Sequence, residues 1–272
     1  MLFQILDTRN EHMITDTEGI VLRQVKAAGG RRMISLFSRK FGKISVGASI
    51  NEGGRNKTAL AARAFSYGRY ELFKSRDNYN LNNGQVIKSY YAIGEDLDKY
   101  MAASYVLELT DKMLPEEMSQ PRIFSLLLEF MEALEKREKK HKTLIMAYIV
   151  KILDILGMMP ELNSCASCGC DPHQSDGGLI CFSIEEGGVI CKECADKLLT
   201  EGNRPLIYKA DFGIIEILKY FRRMPMSAFE KIALNDQMQG TLQEIMKEYI
   251  SYHMDINCLL YTSPSPRDGA TS

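Results

Sequence analysis

The sequence predicts an α+β protein, in which a small closed β-barrel is followed by an α-helical domain with an inserted four-cysteine metal element. Three observations support this prediction. Five short β-prone runs lie in the first ninety residues, apolar residues then recur at helical spacing, and two C-x-x-C pairs interrupt the helical part. We assign residues 1–90 to the barrel and 91–258 to the helical domain, with the metal element at 162–198. Residues 259–272 are expected to be a non-native, disordered tail.

The predicted strands follow one another closely. Short β-prone runs cover 19–25 and 32–38, and the stretch after Gly42 alternates between apolar and polar residues. The next run changes phase at Gly68, where a β-bulge would supply the extra residue. The last strand runs from Tyr79 to Ile87. Short strands in such close succession favour a barrel.

Apolar stripes at helical spacing mark the predicted helices. The stripes are Leu97, Tyr100, Ser104 and Leu107; Ile123, Leu127, Phe130, Met131 and Leu134; Ile214, Ile215, Leu218 and Phe221; and Leu242, Ile245, Met246 and Tyr249. The segment 144–156 is apolar nearly all round, so we expect a central helix that ends at Gly157. Asp211 is the expected N-cap of the following helix.

Two cysteine pairs, Cys165 with Cys168 and Cys191 with Cys194, have the spacing of a closed, structural zinc site for one ion. Glycines flank the apolar runs between the pairs, which indicates a β-hairpin attached to the metal. Cys170 and Cys181 lie near enough in sequence to substitute as ligands. Ordinary reduced cysteines and a thioredoxin-type redox pair are the alternatives, and the second lacks the βαβ pattern it requires.

The net charge of −1 conceals a strongly basic region at residues 19–74. Twelve Lys or Arg stand there against Glu52 and Glu71, a net charge of +10. Such an excess is typical of a protein that binds a polyanion, most often nucleic acid. A solvated basic surface is the alternative. The candidate phosphate-contacting residues are Arg23, Arg31, Arg32, Arg39, Lys40, Lys43, Arg55 and Lys57.

The sequence contains no recognisable catalytic motif. Lys57-Thr58 is preceded by Asn56 where a phosphate-binding loop needs glycine, and no G-x-S-x-G, H-E-x-x-H or G-x-G-x-x-G occurs. We therefore predict that the protein is not an enzyme. No signal peptide or membrane span is expected either, and cysteines arranged as metal ligands indicate the cytoplasm.

A second basic segment, 136–142, lies between two predicted helices. It is a candidate phosphate contact, but a solvated helix connection is the favoured interpretation.

The order of these features resembles the bacterial RecO family of DNA repair and recombination mediators. The matching residues are Thr17-Glu-Gly-Ile-Val-Leu-Arg23, Ile34-Ser-Leu-Phe-Ser-Arg-Lys-Phe-Gly-Lys-Ile44, Leu156-Gly-Met-Met-Pro-Glu-Leu162, the four cysteines with Gly169, Phe182-Ser183 and Gly187-Gly188, and Tyr249-Ile-Ser-Tyr-His253. The resemblance covers about residues 17 to 257.

The resemblance implies a specific fold and role. The barrel would be an OB-fold that binds single- and double-stranded DNA, and the protein would anneal complementary strands. It would work with RecR and with the C-terminal tail of single-strand-binding protein to help load RecA, in association with the nucleoid. For that tail, Lys219, Phe221, Arg222 and Arg223 are candidates by composition alone.

Three segments depart from the family. The first sixteen residues exceed the usual lead-in, so Met13 is a candidate start, and the loop at 26–32 lacks the family's Tyr-Gly-Glu. The segment 259–272 does not look like the family's C-terminus and is similar to translated sequencing-adapter read-through. It has too little apolar area to offset the ordering entropy of its backbone.

Two rival classes remain open. One is a zinc-bearing OB-fold protein of translation or RNA metabolism, which stronger binding to structured RNA than to single-stranded DNA would favour. The other is an enzyme with an unrecognised site, which would have to show turnover.

Overall fold

The computed structural model describes residues 13–27, 31–49, 57–75, 78–172, 180–200, 206–210 and 212–256. Two compact units are present: residues 1–97 with 107–124, and residues 98–106 with 125–272. The candidate residues Arg55 and Asp211 and the tail from 259 lie outside the described residues.

The first unit contains a closed barrel with strand order β1-β2-β3-β5-β4. Its strands are β1 (Met13–Lys26), β2 (Arg32–Ser38), β3 (Gly42–Ala48), β4 (Ser66–Ser75) and β5 (Asn78–Ser89). All neighbouring strands are antiparallel except β3 and β5, which are parallel and pair at only two positions. The barrel predicted from the sequence is therefore confirmed.

Side-chain alternation fills the barrel interior. Ile44, Val46 and Ala48 of β3 are buried while Lys43 and Ser45 face outward, as the pattern predicts. The β4–β5 register shifts between Tyr67 and Gly68, where the sequence predicted a bulge. A short helix α1 (Lys57–Ala61) was not predicted. Its Ala61 packs in the barrel core, and the Ala61 carbonyl accepts a 2.7 Å hydrogen bond from the Tyr70 hydroxyl.

Helix α2 (Leu97–Met113) follows a short 3-10 turn, and its predicted stripe is correct only in part. Leu107 is buried, but Leu97 is 72% exposed and Tyr100 46% exposed. The buried face also includes Ala102, Ala103, Val106 and Leu109. The predicted stripe was defined by large side chains and therefore missed the alanines.

The second unit contains most of the helices. They are α3 (Pro121–Lys136), whose first residues belong to the first unit, α4 (His141–Leu156), α5 (Lys192–Thr200), α6 (Phe212–Arg223) and α7 (Asp236–Met254). The stripes predicted for α3, α6 and α7 are buried. Helix α4 is buried on nearly all sides and ends at Gly157, whose φ of 72° suits a glycine C-cap.

A three-stranded sheet of order β7-β6-β8 carries the cysteine element. Strands β6 (Ile180–Ser183) and β7 (Gly188–Ile190) form the predicted antiparallel hairpin. Strand β8 (Ile207–Ala210) pairs with β6 on its other side and was not predicted. Helix α5 follows β7 directly, so the second cysteine pair spans a strand end and a helix start.

The segment 136–142 connects two helices with Lys136, Glu138, Lys139 and Lys140 exposed, as the sequence favoured, but Arg137 is buried. Its guanidinium donates to the main-chain carbonyls of Phe229, Glu230 and Ile232. Lys136 and Lys140 form ion pairs with Glu230 and Asp236. The segment therefore fixes the chain between α6 and α7.

Candidate nucleic-acid interface and metal centre

The predicted phosphate-contacting residues fall into groups on the barrel. Arg31 and Arg32 stand at the start of β2, and Arg39 and Lys40 form the turn between β2 and β3. Arg31 is exposed, and the Arg32 guanidinium donates to the Gln24 side chain over 2.9 Å. Lys57 is exposed at the start of α1.

The turn between β2 and β3 places two cations beside aromatic rings. The Arg39 guanidinium lies 4.8 Å from the centre of the Phe124 ring and forms an ion pair of 3.3 Å with Glu18. Lys40 lies 5.2 Å from the centre of the Phe41 ring. Both cations are exposed, so they can reach a ligand on the barrel surface.

Four aromatic residues of the barrel are candidate stacking platforms for bases, and half of them belong to the core. Phe37 and Tyr70 are buried, whereas Phe41 and Tyr67 are partly exposed. The Tyr67 hydroxyl donates to Glu18 over 2.8 Å, and burial is the main cause of its raised pKa. Phe41 is therefore the aromatic side chain best placed beside a cation.

Lys43 and Arg23 are held by acidic residues of the first unit. The Lys43 ammonium donates to the Asp111 carbonyl over 2.6 Å and lies 3.1 Å from the Glu116 carboxylate, and its side chain is only 13% exposed. Arg23 lies 3.6 Å from the Asp111 carboxylate but remains 65% exposed. Sequence reasoning did not anticipate these acidic partners, because about seventy residues or more separate them from the strands they meet.

A polar groove of about 620 Å³ opens beside the short parallel pairing of β3 and β5. Its lining includes Arg31, Ser45, Asn80 and Glu117. Lys74, on β4, has a raised pKa because of a hydrogen bond with Tyr79, a further residue of this groove. Lys74 belongs to the basic region but was not singled out as a contact.

The cysteine element brings five thiols together. The sulfurs of Cys165, Cys168, Cys170 and Cys191 all lie within 4.8 Å of one another. Burial raises the pKa of Cys194, and hydrogen bonds with the side chains of Cys168, Cys191 and Cys165 add to this effect. The four-cysteine cluster is a possible metal site. It contains three of the predicted ligands, with Cys170 in place of Cys194.

The local backbone is shaped for thiolate sulfurs. Gly169, after Cys168, has a φ of 76°, which only glycine adopts without strain. The Cys191 amide donates to the Cys165 sulfur over 3.3 Å. Hydrogen bonds from Cys170, the backbone first, lower the pKa of Cys168 to about 6, so its thiolate is present at neutral pH. Amide donors and a ready thiolate are what a thiolate-bound metal requires.

Sulfur spacing favours a tetrahedral ion. A zinc ion with bonds of about 2.3 Å to sulfur holds its ligand sulfurs about 3.8 Å apart. The Cys168 and Cys191 sulfurs are 3.9 Å apart, whereas those of Cys168 and Cys170 are 3.3 Å apart. The first distance fits two ligands of one ion, and the second fits a thiol hydrogen bond.

The proposed partner residues on α6 are only partly available. Phe221 is 1% exposed and its ring meets the Phe229 ring edge-on, so a partner peptide cannot reach it and the prediction is wrong for this residue. Arg222 forms a 2.7 Å ion pair with Asp154, and Lys219 one of 3.5 Å with Glu216. Arg223 is exposed.

Within the described ranges, no helix combines the length and the apolar character needed to cross a membrane.

The architecture defines a class: a cation-bearing β-barrel protein with a helical domain that carries a cysteine cluster able to hold a metal ion. Comparison with known families is more specific. The N-terminal model of recombination protein O matches residues 13–90, and its C-terminal model matches residues 94–258. The chain therefore belongs to the RecO family of bacterial DNA repair proteins.

Individual relatives agree with this assignment. The chain is 31% identical over 246 residues to the DNA repair protein RecO of Alkaliphilus metalliredigens, covering 89% of this chain and 95% of that protein. It is 27% identical over 237 residues to the protein of that name from Halalkalibacterium halodurans, covering 87% and 89% of the two chains. The corresponding protein of Bacillus subtilis is 28% identical over 239 residues, covering 87% and 88%.

Proposed function

We propose that this protein binds and anneals single-stranded DNA and helps to load RecA on protein-coated strands during recombinational repair. It also binds duplex DNA and works in the cytoplasm, at the nucleoid, as a mediator and not as an enzyme. The observation that carries the proposal is the set of exposed cations, with Phe41 beside Lys40, on a closed barrel of the RecO family.

An annealing protein must hold strands without reading their sequence. Cations that follow the phosphate backbone and a few aromatic rings on which bases stack are sufficient for this. Arg31, Arg39 and Lys40 are exposed at separate positions on the barrel and supply the charge. Arg32 and Lys57 extend the basic surface.

One structural zinc ion is part of the proposal, with Cys165, Cys168, Cys191 and Cys194 as ligands. When bound, the ion would fix the hairpin of β6 and β7 against the start of α5, because the second cysteine pair joins these elements. All four ligand positions would be filled by protein, so no catalytic role follows.

The partners follow from family membership. RecR and the C-terminal tail of single-strand-binding protein are the proposed protein partners. RecA is a proposed partner only indirectly, through its loading on DNA. For the tail, which the family resemblance implies is acidic, the remaining candidates are Lys219, Arg222 and Arg223, without Phe221. Their test is a peptide-binding measurement on Arg222→Glu with Arg223→Glu, for which we expect weaker binding.

The deciding experiment is annealing of complementary strands pre-coated with single-strand-binding protein. We expect the purified protein to accelerate annealing, and a variant with Arg31→Gln and Lys40→Gln to be slower. No acceleration at low salt would contradict the proposal. Stronger binding to structured RNA than to single-stranded DNA would support the RNA-binding alternative instead.

A further inference from the structure

The outer face of β1, β2 and β3 carries a row of hydrogen-bond donors. Arg23 pairs in register with Ser35, and Ser35 pairs with Ser45, so the three residues cross three neighbouring strands. Lys43 lies two residues before Ser45, on the same side of β3. Arginine, lysine and serine side chains are the common donors to nucleic-acid phosphates.

Oxygen atoms of Asp111 and Glu116 contact three of these side chains. The Asp111 carboxylate accepts a 2.6 Å hydrogen bond from the Ser35 hydroxyl and lies 3.6 Å from the Arg23 guanidinium. The Asp111 carbonyl accepts from the Lys43 ammonium, and the Glu116 carboxylate lies 3.1 Å from that ammonium. One short segment, 111–116, thus provides anionic and carbonyl oxygens to donors on three strands.

This arrangement matches the way a phosphate is bound. The Asp111 carboxylate accepts a hydrogen bond from a hydroxyl and forms an ion pair with a guanidinium. Phosphate groups of nucleic acids are bound by the same two kinds of side chain. Two of the charged partners remain open to solvent, with Arg23 65% and Glu116 64% exposed. An ion pair with one partner open to solvent adds little to stability, so a phosphate can compete for the cation.

We propose that the outer face of β1–β2–β3 is a binding surface for the backbone of single-stranded DNA, and that the segment 111–116 competes with DNA for it. The inference rests on the proposed function, namely that the protein binds single-stranded DNA. It assigns Arg23, Ser35 and Lys43 to one surface and gives Asp111 and Glu116 the role of an internal competitor.

Asp111→Asn tests the competition, because the amide keeps an acceptor for Ser35 but removes the charge that holds Arg23. The readout is the anisotropy of a labelled oligothymidylate as a function of salt. We expect binding about three- to tenfold tighter at low salt and a log–log salt slope steeper by about 0.7, which corresponds to one added phosphate contact.

Glu108→Gln is the matched control. Glu108 lies on the same helix and pairs with Lys112, so this change alters the net charge equally but leaves the barrel cations untouched. Adding Arg23→Gln to Asp111→Asn should abolish the gain. Equal effects of Asp111→Asn and Glu108→Gln would overturn the inference, as would weaker binding by Asp111→Asn.

Glu116→Gln is the second variant, for use if Asp111→Asn lowers the melting temperature. Its exposed side chain forms an ion pair with Lys43, and the loss of this pair should leave the fold intact. We expect tighter binding here also, and unchanged binding would count against the inference. If the unaltered protein fails to bind the oligonucleotide at any salt concentration, the proposed function fails as well.

Discussion

The guanidinium of Arg137 donates to the main-chain carbonyl of Phe229, ninety-two residues further along the chain. Two neighbouring carbonyls, those of Glu230 and Ile232, accept from the same guanidinium. Burial lowers the pKa of Arg137, which remains far above neutrality for an arginine. A single buried charge therefore holds the connection between α6 and α7.

Arg137→Met should lower the free energy of unfolding by about 2–4 kcal/mol, because three carbonyls, of which that of Phe229 is buried, would lose their donor. Chemical denaturation followed by circular dichroism measures this change. The control is Lys136→Met, which removes only an exposed ion pair with Glu230 and should be nearly neutral. Similar losses in the two variants would show that the carbonyl contacts are unimportant.

Gly42→Ala should destabilise the barrel by about 2 kcal/mol or more. Gly42 has a φ of 74°, and a Cβ there would overlap the backbone of Met118. Gly94→Ala is the comparison, since an added Cβ meets nothing within 4 Å and the backbone is unstrained. Thermal denaturation of both variants checks the difference, and equal melting temperatures would refute this explanation.

Cys194→Ser should abolish stoichiometric zinc, whereas Cys170→Ser should retain it. The 3.3 Å between the Cys168 and Cys170 sulfurs is shorter than the spacing of about 3.8 Å in a tetrahedral zinc site. Cys194 forms a C-x-x-C pair with Cys191, which is the spacing of zinc ligands. Metal analysis of the purified proteins shows whether Cys194 or Cys170 is the fourth ligand. Retention of zinc by Cys194→Ser with loss in Cys170→Ser would exchange their roles.

Stability should fall as the pH rises through and above 10, in part because of Tyr70. Burial raises the pKa of Tyr70 above its ordinary value of 10.0, so the folded state favours the protonated hydroxyl. This stabilisation is complete below pH 10 and is lost as the pH rises towards the folded-state pKa, because only the unfolded chain ionises easily. Tyr70→Phe should reduce the slope in a plot of unfolding free energy against pH. An unchanged slope would assign it to other groups.

Arg31→Gln and Lys40→Gln should each reduce the steepness of the salt dependence of single-stranded DNA binding by about 0.7. Both side chains are exposed, so melting temperatures should not change. Lys209→Gln, at an exposed position on β8, is the control and should leave the slope unaltered. An unchanged slope in both variants would show that the DNA does not contact Arg31 or Lys40.

Local patterns predicted much of this fold. The alternation at Ile44, Val46 and Ala48 and the stripe of α3 were correct because each element buries one face and exposes the other. The stripe of α2 was correct at Leu107 but wrong at Leu97 and Tyr100, which are exposed while the small residues Ala102 and Ala103 are buried. No periodic pattern distinguishes β8, which depends on pairing with β6.

The sequence predicted which residues belong to the candidate sites, but not which other residues they contact. Spacing alone identified the cysteine element, since ligands close in sequence must be close in space. The contact of Lys43 with Asp111 depends on tertiary packing of distant segments, which one sequence cannot reveal. Burial of Phe221 follows from its place in the α6 stripe, whereas its proposed partner role rested on composition alone.

Closure of the barrel depends on the two parallel pairs Val46 with Tyr79 and Gly47 with Asn80. Every other neighbouring pair of strands is joined by a longer antiparallel ladder. The pairing of β3 with β5 is therefore the weakest part of the barrel, and local opening there requires the loss of few hydrogen bonds. Strands β3 and β5 are the two edges of a curled sheet and pair at two positions. Their transient separation exposes strand edges that a fully paired barrel would keep covered.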